Sequence, residues 1–226
     1  MLYYDLHSHR PARQTEDIAI ISIDLHGQQA LENIMSDNNA GYFSVGIHPW
    51  NPDKSLMPEV KRLAALPYVV AIGETGLDKA TAKKQGDFSL QQEIFAEHIF
   101  LSEETKKPLI IHCVKAWDEL LCIHTSLKPS MPWIIHGFRG NAILATQLLD
   151  AGLYLSFGMH HNTEALKKAW DKGRLFAETD DADVDICEVC TSIAGKLNIP
   201  INELLSEISS LFLYFPQLAL SLINRR

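Results

Sequence analysis

Short apolar runs alternate with polar loops and amphipathic stretches along most of the chain. Ile18–Ile23 is almost purely apolar, the pattern of a strand buried on both faces. Runs of similar length stand at Leu2–His7, Phe43–Ile47, Tyr68–Gly73, Pro108–His112, Trp133–His136, Leu153–Phe157 and Leu175–Glu178. Between them the spacing predicts helices over Gln28–Asn39, Met57–Leu66, Trp117–Ser126, Asn141–Ala151 and Thr163–Asp171. A Ser89/Gln92 capping box predicts a long helix running to Lys106. Lys79–Asp87 is polar and reads as a loop. Asp183–Arg226 reads as two or three helices, interrupted at Pro200 and Pro216.

Eight short strands separated by helices predict an α/β protein with parallel strands, and eight is the number that closes a (β/α)8 TIM-type barrel. At 226 residues the barrel must be somewhat trimmed, and Arg10–Asp17 is too short and polar for a full crossover helix. An open doubly wound sheet is the alternative, weakened because no Gly-rich phosphate fingerprint follows an early strand. The expected organisation is one domain over residues 1–226.

The predicted strand ends carry the candidate chemistry. His7 and His9, two residues apart on a strand, share one face and can reach one cation. The third strand is followed by His48, the fourth by Glu74, the fifth and sixth end in His112 and His136, and the eighth leads to Asp180. In a barrel all of these converge on the C-terminal mouth, where active sites of the fold lie. Individually each has a plainer reading: a core histidine for His112 or His136, a solvated carboxylate for Glu74, a helix cap for Asp180. Trp50 and Phe138 could stack on a base or sugar, or simply pack. His160 and His161 could line the mouth or face solvent, while His26, His98 and His124 read as surface residues.

Composition narrows the function classes. The net charge of −8 argues against a broad nucleic-acid footprint, although it leaves room for a strand end held through bound cations. Apolar runs are too short to span a membrane and the chain opens directly into a strand, so a cytoplasmic location is expected. Of four cysteines, Cys113 and Cys122 read as buried thiols. Cys187 and Cys190 form a lone C-x-x-C that lacks the second half of a zinc site.

At these residues the sequence resembles the TatD-like family of metal-dependent hydrolases, within the amidohydrolase superfamily. The matching blocks are Asp5-Leu6-His7-Ser8-His9, Gly46-Ile47-His48-Pro49, Ile72-Gly73-Glu74-Thr75-Gly76-Leu77-Asp78, Pro108–His112, His136-Gly137-Phe138-Arg139-Gly140 and Glu178-Thr179-Asp180. The resemblance implies a (β/α)8 barrel with one or two divalent ions (Zn, Mn, Ni or Mg) and hydrolysis of phosphodiesters, often as a deoxyribonuclease. It implies that His7, His9 and Asp180 bind a first metal, that His112 and His136 bind a second, and that Glu74 bridges the two. Asp180 would act as general base, and His48 would contact a phosphodiester or nucleic-acid substrate. The chain departs from the family pattern at Val114 and Lys115, where an Arg is usual. It departs again after Asp180, where Asp181, Asp183 and Asp185 replace a Pro-containing loop and add negative charge beside the mouth. Alternatives are a superfamily hydrolase of an amide, ester or phosphomonoester, and a non-catalytic metal-binding barrel.

Overall fold

The computed structural model describes residues 1–23, 25, 41–85 and 88–215. The predicted helix over Gln28–Asn39, together with His26 and Pro216, lies outside them.

Eight strands pair in chain order, each parallel to the next. They are β1 (Tyr4–Ser8), β2 (Ile18–Ile23), β3 (Tyr42–Val45), β4 (Val69–Asp78), β5 (Leu109–Val114), β6 (Trp133–Ile135), β7 (Tyr154–Phe157) and β8 (Leu175–Ala177). The ring is drawn together by a parallel bridge between Ser8 and Asp180, in which the Asp180 N–H donates to the His7 carbonyl at 2.9 Å. The architecture is therefore the expected TIM-type (β/α)8 barrel, and its strands are buried because helices cover the outside while side chains fill the inside.

The covering helices are α1 (Met57–Ala64), α2 (Lys79–Gln85), α3 (Phe88–Thr105), α4 (Trp117–Leu127), α5 (Ala142–Asp150), α6 (Thr163–Asp171), α7 (Ile186–Leu197) and α8 (Ile201–Leu211). Asn141 and Asn162 cap α5 and α6 by accepting from Leu144 and Ala165 backbone N–H groups, and Asp185 with Glu188 forms a capping box on α7. Lys79–Gln85 forms a helix where a loop was expected. The helix α3 begins at Phe88, which places Ser89 inside it rather than at its cap.

The largest boundary difference is in β4, which continues through Glu74 to Asp78 instead of ending at Gly73. Glycine reads as a strand breaker from sequence. Here Gly73 and Gly76 are required, because a Cβ at either would collide with the carbonyls of Ile110 and His112 on the adjoining β5. That close approach brings Glu74 against His112.

Candidate metal centre

Barrel register sets the height of each polar side chain. Ile110 pairs with Ile134 and Ile111 with Ile135, so the two Ile-Ile-His runs end level and His112 lies beside His136, with Nδ1 and Nε2 3.4 Å apart. The Ser8–Asp180 bridge does the same across the closure, bringing the carboxylate of Asp180 to 3.6 Å from His7 Nε2 and 3.5 Å from His9 Nε2. Asp180 takes a positive φ of 55°, a conformation that Asp tolerates better than most residues.

Five of the seven predicted site residues, all histidines, meet around the carboxylate of the sixth, Glu74, and Asp180 joins them through His7 and His9. Glu74 Oε1 lies 2.8 Å from His48 Nε2, 3.0 Å from His112 Nδ1 and 2.8 Å from His136 Nε2. Its other oxygen, Oε2, lies 3.3 Å from His7 Nε2 and 3.9 Å from His9 Nε2. Each oxygen thus faces its own set of imidazoles, and three triplets of candidate ligand atoms each fall within 4.8 Å. They are His7, His136 and Asp180; His7, His9 and Glu74; and His48, Glu74 and His112.

Carboxylates and imidazoles set one another's charge in this cluster. Burial works to raise the Glu74 carboxyl, but charge on His136 and hydrogen bonds from His112, His136 and His48 hold it well below the usual range. Burial likewise opposes ionisation of Asp180, and the His9 hydrogen bond with charge on His136 and His7 overcomes it. His136 is driven up against its own burial by Glu74 and by Glu178.

The donor set fits a divalent cation on grounds internal to the chain. His7 is fully buried, yet neither ring nitrogen makes a hydrogen bond. His112 has carboxylate oxygens at both nitrogens, Glu74 at Nδ1 and Asp78 at Nε2 (3.3 Å). A carboxylate only accepts. If Nε2–H donates to Asp78, the Nδ1 lone pair of a neutral His112 faces Glu74 Oε1, and a proton or cation must separate them. Imidazoles with two carboxylates suit Zn, Mn or Ni. His48 behaves differently: its Nδ1 accepts from the Trp50 backbone N–H at 3.1 Å. Nε2 therefore carries the proton toward Glu74, leaving His48 a donor with no lone pair to spare.

A pocket of about 310 Å³ opens over this cluster, lined by His9, His48, Glu74, His112, His136 and Asp180 with Trp50 at its edge. Trp50 is 52% exposed, as a stacking surface would be, whereas Phe138 is buried against Trp117 and Phe157 and belongs to the core. Of the acidic residues after β8, Asp181 lines the pocket, Asp183 is held by Arg10 and Arg13, and Asp185 caps α7. His160 and His161 are not among the lining residues; His161 shares a hydrogen bond with the Gly158 carbonyl.

Three of the plainer readings need correction. His98 is fully buried rather than on the surface, accepting from the Ile47 N–H at 3.1 Å and contacting the Ile94 carbonyl at 2.7 Å. His124 is half-buried, packed edge-on against Trp133. Cys113 is buried as expected but Cys122 is exposed.

Two residues of the site were not singled out as such from sequence: Asp78 behind His112, and Glu178, whose Oε1 lies 3.5 Å from His136 Nδ1 and accepts from the Gly137 N–H at 2.5 Å. Strand parity was the available signal, since Glu178 is two residues from Asp180 and Asp78 four from Glu74. Asp5 was also missed. It accepts from the Thr179 N–H and hydroxyl at 3.0 and 2.6 Å, and burial pushes its carboxyl up to about 7.

Residues 7–200 match the family described as TatD related DNase. The chain belongs to that family. Among relatives of this TatD-family chain, an uncharacterized metal-dependent hydrolase, YcfH of Escherichia coli K12, is 33% identical over 177 residues, covering 75% of this chain and 66% of the relative. A protein named 3'-5' ssDNA/RNA exonuclease TatD, from Erwinia billingiae, is 31% identical over 153 residues, covering 62% and 57%. The chain spans from about half to about two thirds of the length of the curated relatives it matches. The fold is shared with the crystal structure of YJJV, a TatD homologue of Escherichia coli K12, at a TM-score of 0.80 and 18% identity over 94% of this chain and 97% of the other. Among the described residues no helix is long and apolar enough to cross a membrane.

Proposed function

We propose that this TatD-family barrel is a divalent-metal-dependent hydrolase acting on a phosphodiester, with the end of a nucleic-acid strand as its substrate. The observation that carries the reading is Glu74, one buried carboxylate with imidazoles gathered on each of its two oxygens. The exonuclease name of the Erwinia relative supports the phosphodiester part.

His7, His9 and Asp180 would hold one cation and His112 with His136 a second, Glu74 serving both. Cations so held acidify water and neutralise charge on a phosphoryl group. Asp180, kept ionised and 27% exposed to the pocket, accepts a proton from the attacking water as the phosphorus–oxygen bond forms and the ester bond breaks. His48 commits its single N–H to Glu74 and lines the pocket wall where the phosphodiester would lie against its ring. Trp50 offers a ring face to the base or sugar beyond the scissile bond.

The test is elemental analysis beside turnover. Wild type should carry close to two divalent ions per chain, and Glu74→Ala should lose at least one. Metal-stimulated hydrolysis of bis-p-nitrophenyl phosphate should accompany loading. Wild type that takes up neither Zn nor Mn would sink the reading, and hydrolysis confined to amides or carboxylic esters would move the chain to another branch of superfamily chemistry.

A further inference from the structure

The carboxylate behind His112 does more than complete a hydrogen-bond pattern. Asp78 is buried at the end of β4, and its backbone is clamped by the Gln91 side chain, whose Oε1 accepts from the Asp78 N–H at 2.8 Å. Its Oδ1 accepts from the Thr81 N–H at 2.9 Å. Its Oδ2 lies 3.3 Å from His112 Nε2, and the same atom accepts the indole N–H of Trp50 at 2.7 Å. Trp50 in turn donates its backbone N–H to His48 Nδ1. The rings of Trp50, His48 and His112 meet edge to face, with centroids 4.7 to 5.7 Å apart.

We propose that Asp78 is a positioning residue for this site, one of its oxygens fixing His112 with Nδ1 toward Glu74 while tethering the Trp50 indole at the pocket mouth. The inference rests on the metal-centre reading and extends it to a residue that touches neither cation nor substrate. Fixing the tautomer matters because a ligating imidazole must present a lone pair, and a carboxylate on the far N–H both orients the ring and strengthens it as a donor. Because one oxygen serves both partners, filling the cation position beside His112 draws on the hydrogen bond that also holds Trp50. Binding beside His112 is thereby reported at the pocket mouth.

The experiment is a zinc titration of the metal-stripped chain against a chromophoric chelator, with tryptophan emission followed in parallel. Wild type should show two dissociation constants. In Asp78→Asn one of them should weaken by about 10- to 100-fold, the range for losing such a partner, while the other stays unchanged. The zinc-dependent emission change absent from Trp50→Phe should also be absent from Asp78→Asn. A folded Asp78→Asn with both wild-type zinc affinities overturns the proposal, and so does equal weakening of both sites with a lower melting temperature, which marks a merely structural role. If Asp78→Asn does not fold, Asp78→Glu must show the same selective weakening. Wild type that binds no zinc overturns the metal reading itself, an outcome distinct from two intact sites in the variant.

Discussion

His98 offers a perturbation whose sign follows from the geometry around its ring and whose size follows from its burial. Its Nε2 must accept, because the group opposite is the Ile47 N–H, so Nδ1 carries the proton and donates to the Ile94 carbonyl. Only the neutral tautomer satisfies both partners. Burial in that setting pushes the ring down to about 4, from an ordinary value of 6.5. Between those limits the unfolded chain holds a proton that the folded chain rejects. The His98 contribution is therefore fully present above pH 6.5 and is lost as pH falls through that interval. At about 1.4 kcal/mol per pH unit the loss approaches about 3 kcal/mol near pH 4. His98→Phe keeps a ring and removes the proton site, leaving the Ile47 N–H unpaired at about 1–3 kcal/mol. Urea unfolding of both proteins at several pH values from 7.5 to 4.5 should show wild type more stable at the upper end and the gap closing toward the lower. A gap constant across that range would refute the assignment of the neutral tautomer. The consequence reaches the site, because Ile47 precedes His48.

Other expectations are simpler. Gly76→Ala forces a Cβ against the His112 carbonyl at a positive φ of 144°, and should cost about 3 kcal/mol in denaturant unfolding while weakening zinc uptake. Asp180→Asn should lower kcat on bis-p-nitrophenyl phosphate by about 10²- to 10⁴-fold, with cation still bound at His112 and His136 in elemental analysis. Asp185→Ala removes the α7 capping box and should lower stability by about 1 kcal/mol with no change in zinc affinity. Excess zinc at about 100 times its dissociation constant should stabilise the stripped protein by about 2.7 kcal/mol per site, seen as a rise in melting temperature that EDTA reverses.

Much of this protein is determined locally. Apolar runs such as Ile18–Ile23 and Trp133–His136 are too short for helices and read as buried strands, and their alternation with helical stretches points to parallel strands whose ends face one way. The His-x-His pair and the two Ile-Ile-His runs are legible for the same reason, since strand parity sets which side chains share a face. Tertiary structure alone decided the rest. Whether Gly73 and Gly76 end β4 or continue it depends on how closely β5 approaches, which no local propensity encodes. His98 has the local pattern of a surface helix residue, and it became a buried strut because Ile47, 51 residues away, presents an unpaired N–H to it. Asp78 and Glu178 stand in plain view along the chain, yet their places behind His112 and His136 follow from barrel register. Pairwise distances across non-adjacent strands carry the chemistry here, and they exist only once the ring has closed.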